Sequence, residues 1–321
     1  MIGFLTGLSE VVAANEPLAP HTSLGVGGRA RWLARPRSVD ELSQLVCRCG
    51  QEAVALHMLG LGANLLVSDD GVDGVVVRLS APEFRRVDWP GKQTAASRRH
   101  RGGSGPGATV SAAAGVDMNQ LVRETVRRGL SGLECMAGIP GTLGGVIRMN
   151  AGGRFGQIAD VVRQVTVVDP SGQLRTLSRQ AVGFRYRGTD LKDRVICRAT
   201  LALRPDDPDR IRRRFMEVWD CKKKSQPLAE STAGCVFKNP PGRSAGELID
   251  RAGLKNRCVG GARVSQRHAN FIVAKEGASA RDVLGLIGLI RREVAQRFGV
   301  ELELEIEVWG RRRARSPEAI V

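Results

Sequence analysis

Six glycines and a proline crowd into sixteen residues, Gly138-Ile139-Pro140-Gly141-Thr142-Leu143-Gly144-Gly145 and then Asn150-Ala151-Gly152-Gly153. Packing alone does not ask for so much bare backbone. Glycine lacks the Cβ that keeps main chain away from a neighbour, and proline stiffens the loop that carries it. The stretch therefore predicts either close approach to a large ligand, such as a dinucleotide pyrophosphate, or a purely structural loop. It lacks the strand–GxGxxG–helix setting of a Rossmann site, so a dinucleotide here needs a different cradle. A second glycine turn, Leu59-Gly60-Leu61-Gly62-Ala63-Asn64-Leu65, follows a short apolar run at 55–59. It reads equally well as an anion nest or a tight turn.

Around these loops the pattern is mixed α and β. Ser38 and Glu41 form a capping box for a helix to about Cys49, with Gly50 as its stop. Asp117 caps a second helix that ends at Gly129, and Thr109–Ala114 and Val195–Leu203 read as strands. Residues 161–168, the turn DPSG and 173–177 predict a hairpin. Residues 132–153 read as almost all loop. The composition changes at 204–208, where a domain boundary is expected; Pro208 then opens a helix with Ile211, Phe215, Val218 and Trp219 on one face. Ser244 with Glu247 caps another helix, and Ser279 opens a longer one that runs to Phe298 and stops at Gly299. Residues 301–309 alternate glutamate with apolar side chains, which predicts a final strand with Glu303 and Glu305 on the same face. Residues 92–107 are polar, basic and glycine-rich, as in a surface loop.

The charge is strongly positive: 49 Lys and Arg against 33 Asp and Glu give +16. The runs at 98–101, 210–214, 222–224 and 311–315 are dispersed and carry no interleaved aromatics, so specific nucleic-acid binding is not favoured. An anionic small-molecule ligand explains the balance as well. Seven cysteines without framework spacing suit reduced thiols, and neither they nor the four histidines make a metal motif. No apolar run is long enough for a membrane span, and the first residues lack the features of a signal peptide. A cytoplasmic protein is expected.

Three further stretches can carry chemistry. In Phe184-Arg185-Tyr186-Arg187-Gly188-Thr189, Arg187 can pair with a carboxylate or lie solvated, and Tyr186 is the chain's only tyrosine. In Ala233-Gly234-Cys235-Val236-Phe237-Lys238-Asn239-Pro240, the thiol can be an acid, a nucleophile or a small buried hydrophobe. The glutamate ladder can be a solvated strand face.

Taken in order, these motifs resemble the MurB-type UDP-N-acetylenolpyruvoylglucosamine reductases of bacterial cell-wall synthesis. The resemblance runs from HTSLGVGG (21–28) to Gly310, through LGLGANLLV (59–67), GLECMAGIPGTLGGVIRMNAGG (132–153), YRGT (186–189), AGCVFKNP (233–240), AGELIDRAGLKN (245–256), VSQRHANFIV (264–273) and LELEIEVWG (302–310). It implies an α+β chain: two subdomains of the vanillyl-alcohol-oxidase (PCMH) type that hold FAD, then a C-terminal α+β substrate domain. The expected divisions are 1–80, 81–205 and 206–321. It implies FAD contacts at Gly60, Leu61, Gly62, Ala63, Asn64 and Leu65, at Gly138, Ile139, Pro140, Gly141, Gly144 and Gly145, and at Asn150, Ala151 and Gly152. NADPH is the implied co-substrate and a nucleotide sugar the partner, with Tyr186, Asn239 and His268 touching it. The implied catalytic set is Arg187 for developing negative charge, Cys235 as proton donor and Glu305 acting with Arg187. Cys235 replaces the serine of many relatives, and the protein resembles the type without an extra tyrosine loop. A monomer or weak oligomer is expected. The alternatives are another FAD oxidoreductase of the same fold, a flavin binder without turnover, and a non-catalytic protein that uses its basic surface.

Overall fold

The computed structural model describes residues 3–91 and 107–310. The expected loop at 92–107, but for its last residue, and the basic runs at 98–101 and 311–315 lie outside the described residues. The chain forms two compact units, each assembled from separated segments: residues 1–11, 35–54 and 77–221, and residues 12–34, 55–76 and 222–321.

The first unit is built on an antiparallel sheet. Its strands run in the order Leu174–Ser178, Val162–Val168, Val195–Pro205, Ala108–Ala113, Val87–Asp88, and Leu130–Ser131 pairs with the far end of the long strand. Strand side chains alternate in direction, so Val165, Val167, Ala199, Leu201, Val110 and Ala112 are buried in it. Helix α1 (Val39–Gln51) begins as expected, with Ser38 Oγ accepting Glu41 N–H. Its end passes Gly50 to a cap at Glu52. Helix α2 (Met118–Arg127) is capped by Asp117 and buries Met118, Leu121, Val122 and Thr125.

The glycine-rich stretch holds a helix that its composition hides. Thr142 caps α3 (Leu143–Arg148), which buries Leu143, Gly144, Val146 and Ile147. Gly144 packs tightly, since a Cβ would lie 3.0 Å from that of Ala114, whose carbonyl accepts its N–H. Helix α4 (Pro208–Ser225) buries Ile211 and Val218, while Phe215 and Trp219 are only half-buried. Its basic run is partly consumed: Arg214 bonds Glu134, Asp206 and Ser131, and it holds the Asp206 carboxyl below its usual pKa.

The second unit contains a four-stranded sheet, Val12–Pro17, Arg29–Ala34, Val72–Val77, Leu56–Met58, and a second one, Thr232–Cys235, Phe271–Ala274, Ala262–Val264, Cys258–Val259. Between the two cores lies Leu65–Val67. Leu65 and Val67 belong to one cluster with Leu33, Val76 and Trp309, while Leu66 belongs to the other with Ile249, Ile287 and Leu302. Three consecutive residues thus face alternate cores, as a strand requires. This shared wall joins residues 12–34 and 55–76 to the C-terminal region, whereas the sequence suggested a break near 204–208; the division in contacts falls late in α4.

Helix α5 (Ala245–Arg251) is capped by Ser244, and α6 (Ala280–Phe298) by a Ser279–Asp282 capping box, with Gly299 left-handed at its end. The Asp69 carboxylate also takes the N–H groups of Ala280 and Arg281, at 2.8 and 3.0 Å. Backbone N–H bonds from Ser279 and Gly261 hold the Asp282 carboxyl below its usual pKa. None of the described helices is long and apolar enough to cross a membrane.

The expected strand at 301–309 is mostly not one. Only Glu307–Trp309 forms a strand, parallel to Leu65–Val67, while Leu304 makes a lone bridge to Phe237. The segment changes partner part-way. Lys238 N–H bonds Glu303 O, and the N–H groups of Glu305 and Ile306 both point at Val236 O, at 2.8 and 3.5 Å. Glu307 N–H then bonds Asn64 O. Glu305 stands at the handover, so the strict alternation of the sequence is broken there.

Candidate active site

In the first unit, the chain leaves α3 through Asn150, buried at 3% exposure with φ +41°. The following residues form a small hairpin in which Gly152 pairs with Gln157 and Gly153 with Gly156. A tight turn faces it, closed by Arg185 N–H to Gly188 O at 3.0 Å and Gly188 N–H to Arg185 O at 3.2 Å. Tyr186 and Arg187 sit at its tip, and Arg187 adopts a left-handed φ of +53°. Its Nη1 donates to Gly152 O at 2.9 Å, and its guanidinium lies 5.2 Å from the Tyr186 ring centroid. Tyr186 is 56% exposed. Arg185 pairs with Asp190, and buried Thr189 donates its hydroxyl proton to Arg148 O at 3.2 Å. The structure thus brings together Asn150, Ala151, Gly152, Tyr186 and Arg187.

In the second unit, residues 60–65 form the turn expected from sequence. Gly62 has φ +63°, and a Cβ there would run into the backbone of His21 and Thr22. Its bareness serves packing against that segment, while Gly60, Leu61, Ala63 and Asn64 stay half-exposed. Asn64 Nδ2 donates to Glu305 O at 3.0 Å. Cys235 ends the strand Thr232–Cys235 and pairs with Phe271, after an irregularity that includes Gly234 at φ +80°. The carbonyl of Val236, its neighbour, accepts the Glu305 N–H. One backbone bond therefore ties the Glu305 segment to the residue that follows Cys235. Glu303 leaves that ladder in another direction: its carboxylate is 78% exposed and pairs with Lys238 at 3.2 Å. Glu305 is half-buried.

Asn270 was not singled out in the sequence, yet it holds this region. Its amide takes both backbone groups of Phe237: Oδ1 accepts the N–H at 2.9 Å, and Nδ2 donates to the carbonyl at 2.8 Å. It is 3% exposed. An asparagine opening an otherwise apolar run, ANFIV, was the available signal. The Asn270 N–H donates to His268 Nδ1 at 3.2 Å. Burial, and then the charge of Lys255, push the imidazole below its usual pKa. An Nδ1 that accepts this bond carries no proton of its own. Asn239 is exposed and accepts the Ala245 N–H at the start of α5 through Oδ1.

A profile described as UDP-N-acetylenolpyruvoylglucosamine reductase, C-terminal domain, matches residues 226–309, and one described as FAD binding domain matches residues 30–178. The UDP-N-acetylenolpyruvoylglucosamine reductase of Moorella thermoacetica is 42% identical over 306 residues, 95% of each chain. This chain belongs to the UDP-N-acetylenolpyruvoylglucosamine reductase family. Reductase 2 of Symbiobacterium thermophilum is 41% identical over 297 residues, 92% of this chain and 91% of that one. The crystal structure of the Thermus caldophilus reductase, MurB, superposes with a TM-score of 0.77 at 38% identity, covering 93% of this chain and 98% of the other. Reductases of this family carry FAD in the α+β fold expected from sequence. The loop 138–145 fits such a group. Left-handed Gly141 and exposed Gly145 present bare main chain on either side of Thr142, which caps the helix Leu143–Arg148.

Proposed function

We infer that this chain is the FAD-dependent, NADPH-consuming reductase that converts UDP-N-acetylglucosamine enolpyruvate to UDP-N-acetylmuramate in peptidoglycan synthesis. The observation that supports the reading is the match to reductase relatives along nearly the whole chain, with the segments of Cys235 and Glu305 joined by the Glu305 N–H bond to Val236 O. FAD held by the glycine loops would supply the hydride chemistry, taking hydride from NADPH for C3 of the enolpyruvyl group. The residues of the chain must then manage charge and a proton.

Hydride arrival at C3 leaves negative charge at C2, shared with the adjacent carboxylate. Arg187 faces that charge with a guanidinium held by Gly152 O. A preorganised donor aimed at developing charge contributes about 3–4 kcal/mol. Cys235 gives a proton to C2. A thiol, with a reference pKa of about 8.5, is a better acid than the serine hydroxyl of relatives and is still protonated at neutral pH. Glu305 acts with Arg187 on the enolate or its proton. The loops 60–65 and 138–145, with Asn150–Gly152, cradle the cofactor. Tyr186, Asn239 and neutral His268 address the nucleotide sugar, His268 as an Nε2–H donor. Residues 1–80 and 81–205 serve the cofactor and 206–321 the substrate. The protein works in the cytoplasm as a monomer or weak oligomer.

The test is an anaerobic flavin spectrum. Added NADPH bleaches the flavin, and UDP-N-acetylglucosamine enolpyruvate restores it. Bleaching without recovery transfers the substrate assignment to another compound, and failure to take up FAD ends the reading.

A further inference from the structure

The side chain of Asn150 is spent inside the protein. Nδ2 donates to Gln157 Oε1 at 2.9 Å and to Arg185 O at 3.0 Å, while Oδ1 accepts Ala159 N–H at 3.3 Å. Arg185 O is also the acceptor that closes the turn carrying Arg187. The guanidinium of Arg187 reaches back to Gly152 O, two residues beyond Asn150. The bonds thus form a closed circuit: Asn150 amide, Arg185 carbonyl, the turn, Arg187, Gly152, and the main chain back to Asn150. Arg187 is held at both its backbone and its head group, and Asn150 anchors both ends.

We propose that Asn150 is a positioning residue that aims Arg187 at the charge developing on the substrate, and that only its backbone is left for the cofactor. The proposal rests on the role assigned to Arg187. A left-handed φ of +41° at a non-glycine residue is tolerated because these bonds offset it. Main chain held at such an angle cannot relax toward the cofactor without releasing the turn.

Asn150→Gly tests this, since glycine accepts the same φ and lacks the side-chain amide. In the substrate-free protein, hydrogen exchange at 185–188 should accelerate. Recovery of the bleached flavin by substrate should slow by about tenfold to a hundredfold, the effect of a misplaced catalytic group, while bleaching by NADPH keeps its rate. In an Arg187→Ala background the same substitution should cost nothing further. Asn150→Asp, which keeps the acceptor but sets a carboxylate against two carbonyl oxygens, should reproduce the pattern if the glycine variant folds poorly.

A weakened FAD affinity with unchanged exchange would assign the amide to the cofactor and overturn the proposal. An undiminished loss in the Arg187→Ala background would make Asn150 merely structural. If exchange accelerates but the wild-type protein never reduces the enolpyruvyl substrate, the mount stands and the functional reading fails.

Discussion

Arg187 and the Cys235–Glu305 pair are mounted in opposite ways. Arg187 rides a tight turn held down by side chains: the Asn150 amide, the Arg185–Asp190 ion pair and the Thr189 hydroxyl. Cys235 and Glu305 rest on a backbone ladder braced by two amides, Asn270 at Phe237 and Asn64 at the Glu305 carbonyl. A side-chain mount loses its aim when one group is removed, while the rest of the unit keeps its core. A ladder is cooperative, so weakening it costs stability along with geometry. The first arrangement is sensitive in activity and the second in folding.

The largest effect expected is at Cys235, where loss of a proton donor typically costs 10²–10⁴-fold. Cys235→Ala should lower kcat by about a thousandfold on that scale, and Cys235→Ser should retain substantial turnover; alanine activity within about twofold of wild type would remove the thiol from the mechanism. Arg187→Ala should cost about 10²–10³-fold in kcat with little change in Tm, as a mount made of side chains predicts. A Tm drop of many degrees would show that the turn carries part of the fold, which breaks the comparison. Glu305→Gln and Glu303→Gln sharpen it further. The first should cost about tenfold or more in kcat, and the second, which loses only an exposed ion pair, should stay within about twofold.

Asn270→Ala removes two bonds to the backbone of buried Phe237 and should cost about 2 kcal/mol in urea unfolding before any catalytic defect is separable. The smallest effect is at His268. Its folded pKa is depressed, so its contribution is fully present above the unfolded value of about 6.5 and is lost as pH falls through the folded pKa. Unfolding free energy should fall on acidification below that value, and His268→Gln should flatten the slope. An unchanged slope would mean the ring is not held neutral.

Much of this was legible in residue order. The caps at Ser38, Asp117, Ser244 and Ser279 each sit where the structure starts a helix, because a cap acts within three residues of itself. The hairpin around 169–172 and the stop at Gly299 are equally local. The helix Leu143–Arg148 was hidden because its glycines suggest loop; contact with Ala114 and the Thr142 cap outweigh that propensity. The final strand was misread for the complementary reason. Glutamate alternation is a local signal, but Glu305 exchanges one partner strand for another lying some 240 positions away in sequence.

The sequence by itself determined the starts of the capped helices at Ser38, Asp117, Ser244 and Ser279, the mixed α and β content, the glycine loops and the chemical types Arg187, Cys235 and Glu305, since all of these are written in neighbouring residues. Only the tertiary structure decided that Glu303 turns to Lys238 while Glu305 bonds through its backbone to Val236, and that the Asn64 and Asn150 amides serve the protein's own backbone. Those choices depend on which carbonyls lie within about 3 Å of a side chain, and chain segments distant in sequence bring those carbonyls there.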